Sequence, residues 1–346
     1  MKSAVKDSVS SRASGSRLRL ASGAFAAVAL AWGAPPAHAV VFQDIINQGD
    51  VTFNQELGIN NAGKIAGYFG SGMAIGHPNK GYTTVPPSYN TSFTDENFPG
   101  SAQTQVTGIN NVGTTVGFWS DTNLGSGDNN FGFTDVGGTF TNVNNPATGA
   151  GPPMINQLLG VNDSNIAVGF YVDGAGLTHG YTYNIGAMTF SANIDDPNGV
   201  GATTAAAINK SGEIAGFYTD AGGVVHGFVD NGGMFTTIDP TGSTSTVLLG
   251  LNDNGFAVGD YIDAMGVMHG LLYDLNNNTF QNIDDPFGIG TTTINGINDK
   301  EQLVGFYVNG DGNTIGLVAN VPEPASLLLL ASGLLGMGVA GRRRKQ

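Results

Sequence analysis

Between residues 40 and 320 the chain alternates short apolar and aromatic runs with turns rich in glycine and asparagine. One unit recurs. Gly58-Ile59-Asn60-Asn61-Ala62-Gly63 leads into Lys64-Ile65-Ala66-Gly67-Tyr68-Phe69, and Gly108-Ile109-Asn110-Asn111-Val112-Gly113 leads into Val116-Gly117-Phe118-Trp119. The unit restarts at Gly160, Ala207, Gly250 and Gly296, so successive intervals are 50, 52, 47, 43 and 46 residues. Short β segments at a period of ~40–50 residues are the signature of propeller blades or of a stacked array. Residues 202–208, 213–218, 224–229 and 234–238 read as four strands of one unit. The turns between them are Asn209-Lys210-Ser211-Gly212, Asp220-Ala221-Gly222-Gly223 and Asn231-Gly232-Gly233. Four short antiparallel strands joined by such turns make one blade.

The second strand carries aromatic pairs at Tyr68-Phe69, Phe118-Trp119, Phe170-Tyr171, Phe217-Tyr218 and Phe306-Tyr307. Neighbouring strand residues point to opposite faces, so these pairs predict a strand buried on both sides. The glycine before each pair leaves room for close approach of backbone or ring. A fourth-strand phenylalanine appears at Phe93, Phe140, Phe190, Phe235 and Phe280, but the sixth unit stops after its third strand. Phe42-Gln43-Asp44-Ile45 resembles Phe280-Gln281-Asn282-Ile283, and both lie 16 residues before a repeat glycine. The N-terminal segment is therefore expected to complete the last blade and remove the exposed sheet edges. The expected fold is all-β, a six-bladed β-propeller over residues 40–320, with an open array of the same units as the alternative. The consensus Gly-Ile-Asn-x-x-Gly…Gly-Phe-Tyr…His-Gly-Phe…Ile-Asp-x-Pro resembles the bacterial extracellular repeats called the HAF family over roughly residues 42–320. Lys80, Phe131 and Ile315 depart from it by standing in place of the strand histidine. That resemblance implies an exported repeat protein with no assigned chemistry.

The two ends read as addresses. Residues 1–39 run from Lys2, Lys6, Arg12, Arg17 and Arg19 through an apolar stretch to Ala37-His38-Ala39. This order predicts a secretory signal peptide cut after Ala39, with a retained membrane anchor as the alternative. Residues 321–346 hold Pro322-Glu323-Pro324, an uncharged apolar run and the cluster Arg342-Arg343-Arg344-Lys345. The run is slightly short for a spanning helix, which needs ~17–25 residues, though it fits a thin bilayer with the basic cluster cytoplasmic. The arrangement resembles the PEP-CTERM sorting signal of Gram-negative, exopolysaccharide-making bacteria. In that family an exosortase recognises the Pro-Glu-Pro motif and removes the tail. The alternative is an ordinary C-terminal anchor. The resemblance implies sorting to the cell envelope or release outside the cell, with an exosortase as partner and a transient or retained membrane anchor.

Composition sharpens this picture. The whole chain carries a formal charge of −14, but nine of its 13 basic residues lie in the two ends. Residues 40–324 keep Lys64, Lys80, Lys210 and Lys300, no arginine and 26 acidic residues, a net charge of −22. Phosphate neutralisation needs lysine and arginine, so nucleic acid is not an expected partner. Propeller chemistry that clamps a substrate carboxylate with arginine is excluded as well. The absence of cysteine removes disulfides, thiolate metal sites and a cysteine nucleophile.

Candidate chemistry is sparse. His179, His226 and His269 occupy equivalent third-strand positions, and convergence on one metal would require the innermost strand. The simpler expectation is an imidazole bonded to a neighbouring turn. Asp195-Asp196, Asp239 and Asp284-Asp285 precede prolines, where Asx side chains commonly stabilise turns. Asp173, Asp220, Asp263 and Asp311 mark the turn after the second strand and are the candidate ligands for weak Ca²⁺ binding. No catalytic residue stands out against the repeats, and no other cofactor is expected. The expectation is a surface or matrix module, binding or structural, associated with exopolysaccharide or biofilm. The alternative is a secreted propeller enzyme acting on glycans.

Overall fold

The structure, a computed structural model, describes residues 40–72, 76–123, 127–199 and 201–321. These form six four-stranded antiparallel sheets arranged as the blades of a β-propeller. Blades 1 to 5 occupy residues 54–95, 103–143, 156–190, 203–238 and 245–282. Blade 6 takes three strands from the C-terminal end (Thr293–Ile297, Gln302–Val308, Thr314–Asn320) and its outermost strand, Val41–Ile45, from the N-terminal end. Phe42 pairs with Ala319 as Phe280 pairs with Tyr273, so the closing strand has the register that the sequence likeness requires. The signal peptide, its cleavage at Ala39, the Pro322-Glu323-Pro324 motif and the C-terminal sorting helix lie outside the described residues. Among those described, no helix is long and apolar enough to cross a membrane.

Strand direction fixes two faces. The turns between first and second strands, such as residues 60–64, lie on one end of the blades, called here the turn face. The loops between second and third strands lie on the other, the loop face. Val41 pairs with Asn320, so the chain enters and leaves the propeller side by side on the turn face.

Close approach at the axis explains the repeat glycines. Every innermost strand bulges at one equivalent place, for example between Leu158 and Gly160. A Cβ on Gly108 would lie 3.1 Å from the Cα of Gly160, so glycine recurs where adjacent inner strands meet, and blade 4 admits only the methyl group of Ala207 there. A Cβ on Gly169 of the second strand would collide with the carbonyl of Gln157. The core lies in the seams between blades. Val106, Leu158, Ala205, Leu248 and Ile294 are all fully buried at one inner-strand position. The second-strand pairs differ from expectation. Tyr171, Tyr218 and Tyr307 are buried, but Phe170, Phe217 and Phe306 are only half-buried. Phe170 pairs with the polar Gln157 rather than with an apolar neighbour.

Candidate functional site

The repeat asparagine does two jobs. Asn162 Oδ1 accepts from the backbone N–H groups of Ser164 and Ile166 and so holds its own turn, while its Nδ2 donates to the Asn209 carbonyl of the next blade. The same inter-blade bond runs from Asn60 to Asn110, Asn110 to Asn162, Asn209 to Asn252, Asn252 to Asn298 and Asn298 back to Asn60, at 2.9–3.5 Å. Six side chains thus form a closed girdle around the axis at the turn face. A second girdle uses the next residue, whose backbone N–H donates to the side chain of the following blade. It breaks only at Asp163, because Lys210 offers no acceptor there. The turn propensity of Asn and Gly was visible in the sequence. The partner some 50 residues away was not.

The three strand histidines form one repeated device on the loop face. His179 Nδ1 lies 2.9 Å from Asp195, and its Nε2 lies 3.5 Å from Asp173. His226 is held likewise by Asp239 at 2.7 Å and Asp220 at 3.5 Å, and His269 by Asp284 at 2.8 Å and Asp263 at 3.6 Å. Each ring also packs on the second-strand tyrosine, with centroids 5.2–5.3 Å apart. The imidazole therefore bridges the turn before it and the loop after the fourth strand. Burial pulls His226 down, but hydrogen bonding and charge from Asp239, then Asp220, outweigh it and raise its pKa. The hydrogen bond from Asp284 raises His269 against burial, with Asp263 adding to it.

The Ca²⁺ candidates sit within these devices. Asp173, Asp220 and Asp263 each cap their own turn, with Oδ1 accepting backbone N–H bonds from residues two and four further on. Those bonds lead the causes that depress their pKa values. In blade 6 the capping role passes to Asn309, and Asp311 lies exposed at the tip of the turn. The four belong to separate blades, and among the described residues no group of three or more His, Asp or Glu could hold a metal ion.

On the loop face, loop length breaks the six-fold pattern. Residues 173–177, 220–224, 263–267 and 309–313 are short turns between second and third strands. In blades 1 and 2 the corresponding segments, residues 70–79 and 121–130, are twice as long. Beside the described ends of these loops (residues 70–72, 76–79, 121–123 and 127–130) lies a cleft of about 250 Å³, lined by Asn79, Gln103, Gln105, Asn130 and Gln157 together with Phe118 and Trp119. Asp128 is its buried carboxylate, accepting from Thr122 and Gln103. The amides fix one another: Gln105 Nε2 donates to Asn79 Oδ1, Asn79 Nδ2 to the Gly70 carbonyl, and Gln157 Nε2 to Asn130 Oδ1. Trp119 stacks on Phe98 at 4.5 Å, so one of its faces is covered. The nearby cation is Lys80, whose ammonium donates to the Ala102 carbonyl. Lys64, Lys210 and Lys300 belong to turns of the opposite face.

A close carboxyl pair occurs elsewhere. Glu96 accepts from Thr115 and is pushed up to about 7, first by burial and then by Asp135 beside it. Thr115 starts the second strand at the turn-face end, so this pair lies away from the cleft.

The end of the chain supplies a separate datum: residues 320–345 match the family model described as the PEP-CTERM protein-sorting motif. The chain carries an exosortase sorting signal. This motif implies an exported, exosortase-processed protein sorted to the surface of a Gram-negative bacterium. No curated protein matches the chain. Among solved structures, TolB from Agrobacterium tumefaciens is 12% identical with a TM-score of 0.49, over 82% of this chain and 91% of that one. The fucose-specific lectin from Aleuria aurantia is 12% identical with a TM-score of 0.47, over 79% and 97%. TolB from Acinetobacter baumannii is 10% identical with a TM-score of 0.47 over 74% of this chain, which spans only 63% of that protein's length.

Proposed function

We propose that this is a cell-surface or extracellular-matrix binding module that holds exopolysaccharide with its loop face, after a signal peptide is removed at Ala39 and an exosortase acts at Pro322-Glu323-Pro324. On this reading residues 40–320 are the working domain, built from HAF-type repeats, and residues 321–346 are a membrane-spanning tail. The observation that carries it is the polarity of the propeller. The described propeller begins and ends on the turn face, where Val41 meets Asn320 and Val321 bonds to the Glu301 carbonyl. The non-repeating cleft described above opens on the other face. A module tethered by its tail would present that cleft away from the membrane, and the same geometry serves a released matrix protein. The test is retention of the mature protein on the producer's own polysaccharide. Retention at both low and high salt is expected, and none under either condition overturns the reading. Mass spectrometry of both mature termini checks the two cuts, and turnover of a glycan panel would favour a secreted enzyme instead.

A further inference from the structure

The cleft's chemistry goes further than its position. Its volume of about 250 Å³, just under the ~300–1,000 Å³ of pockets that take drug-sized ligands, is on the scale of one small ring. Gln105 and Gln157 each use one N–H on a neighbouring amide, which fixes the side chain and leaves its carbonyl and second N–H for a ligand. A preorganised pair of donor–acceptor groups suits hydroxyls, which also donate and accept. Phe118, half-buried beside them, supplies an apolar wall for C–H faces. An anion meets the opposite situation. Anion recognition draws its strength from charged donors, above all arginine forks. Residues 40–324 have no arginine, Lys80 does not line the cleft and gives one N–H to the Ala102 carbonyl, and Asp128 lines the cleft in a domain of net charge −22.

We propose that the cleft beside the inner strands of blades 2 and 3 binds one uncharged, hydroxyl-rich sugar residue of a polysaccharide through Gln105 and Gln157, and rejects uronate- and sulfate-bearing sugars. The proposal rests on the polysaccharide-binding reading above and specifies its site and ligand class.

The test is affinity electrophoresis of the mature protein in gels containing dextran or galactomannan, both neutral, or alginate, a polyuronate. Retardation by at least one neutral polymer and none by alginate is expected, with no loss at high salt. Gln105→Ala and Gln157→Ala should each weaken neutral binding about ten-fold, the equivalent of about 1.4 kcal/mol. Met234→Ser, on an exposed outer strand of blade 4, should leave it unchanged. Both glutamines are half-exposed, and melting curves identify any variant that fails to fold, in which case the other glutamine decides. Stronger retardation by alginate, or neutral binding within two-fold of wild type in a folded cleft variant, overturns the proposal. If the producer's polysaccharide is held but neither neutral polymer is, the ligand class falls and the broader reading stands. If nothing is held, both fall.

Discussion

Glu56 is the residue that most clearly departs from the logic of the fold. It occupies the inner-strand position filled by Val106, Leu158, Ala205, Leu248 and Ile294 in the other blades, and it is just as completely buried. It stands at the closing seam, over Gly316 of blade 6. Tyr82 donates its hydroxyl to Oε1, while Oε2 has no hydrogen-bond partner. Burial pushes this carboxyl from 4.5 up to about 8, so it is neutral at pH 7. A group whose folded pKa is raised stabilises the fold relative to its ionised state at low pH. That contribution is complete below about 4.5 and is lost as pH rises through about 8. At about 1.4 kcal/mol per pH unit, the loss is about 5 kcal/mol between pH 4.5 and 9. Glu56→Gln keeps an acceptor for Tyr82 and cannot ionise, so it removes the slope. Glu56→Leu removes it too, but leaves Tyr82 without its acceptor, at a cost of ~1–3 kcal/mol. The assay is urea unfolding followed by circular dichroism from pH 5 to pH 9. Wild type should lose stability from pH 5 to about 8 and level off by pH 9, and both variants should be flatter by several kcal/mol. Tyr68 is pushed up by burial and Tyr82 by burial first and then by Glu56 itself, both from an ordinary value of 10, so neither phenol adds to the slope below pH 9. Equal pH slopes in wild type and Glu56→Gln would refute the reasoning.

Other consequences follow from the repeated features. Asn162→Asp keeps the turn acceptor but loses the donor to Asn209, so it should cost ~1–3 kcal/mol and lower the melting temperature by several degrees. Gly169→Ala, whose methyl would strike the Gln157 carbonyl, should be far more damaging, and thermal melts would rank the two. The imidazoles of His226 and His269 should titrate above the usual histidine range by NMR. Their stabilising effect should be complete below about 6.5 and fade as pH rises through the folded midpoints, and Asp239→Asn should lower the His226 midpoint. If the turn aspartates Asp173, Asp220, Asp263 and Asp311 take Ca²⁺, millimolar Ca²⁺ should raise the melting temperature reversibly, and the absence of a shift ends that proposal.

Much of the architecture was legible because each signal was local and repeated. The likeness of Phe42-Gln43-Asp44-Ile45 to Phe280-Gln281-Asn282-Ile283 fixes ring closure, since a strand with the same alternation takes the same register. Lys80, Phe131 and Ile315 do stand opposite Phe69, Trp119 and Tyr307, where the other blades pair tyrosine with histidine. The girdle of asparagines was hidden for a physical reason. Asn60 and its equivalents already had a sufficient role in their own turns, so nothing in the residue type pointed to a second bond into the next blade. Glu56 was hidden differently, because one carboxylate among 26 has no distinguishing mark until its surroundings are known.

The candidate site follows from where the repeat is relaxed. In blades 3 to 5 the Asp–His–Asp bridges tie the loop-face turns to the loop after the fourth strand, leaving the turn little room to vary. Blades 1 and 2 lack the strand histidine, having Lys80 and Phe131 in its place, and these are the blades whose loops double in length. Loss of the bridge frees the loop to grow, and the cleft beside the two grown loops is lined by five amide side chains along with Phe118 and Trp119. Blade 6 tests whether loss is sufficient. It has Ile315 instead of histidine yet keeps the short turn, because Asn309 alone holds residues 311 and 313 by their backbone N–H groups. The cleft therefore requires two adjacent blades to lose both the histidine and the capping Asx turn. Grafting Asp220-Ala221-Gly222-Gly223-Val224 in place of residues 121–129, together with Asn130→Val, Phe131→His and Asn144→Asp to re-form the bridge in register, should erase the cleft and abolish polysaccharide retention while the propeller still folds. Retention that survives this graft would place the binding surface elsewhere on the loop face.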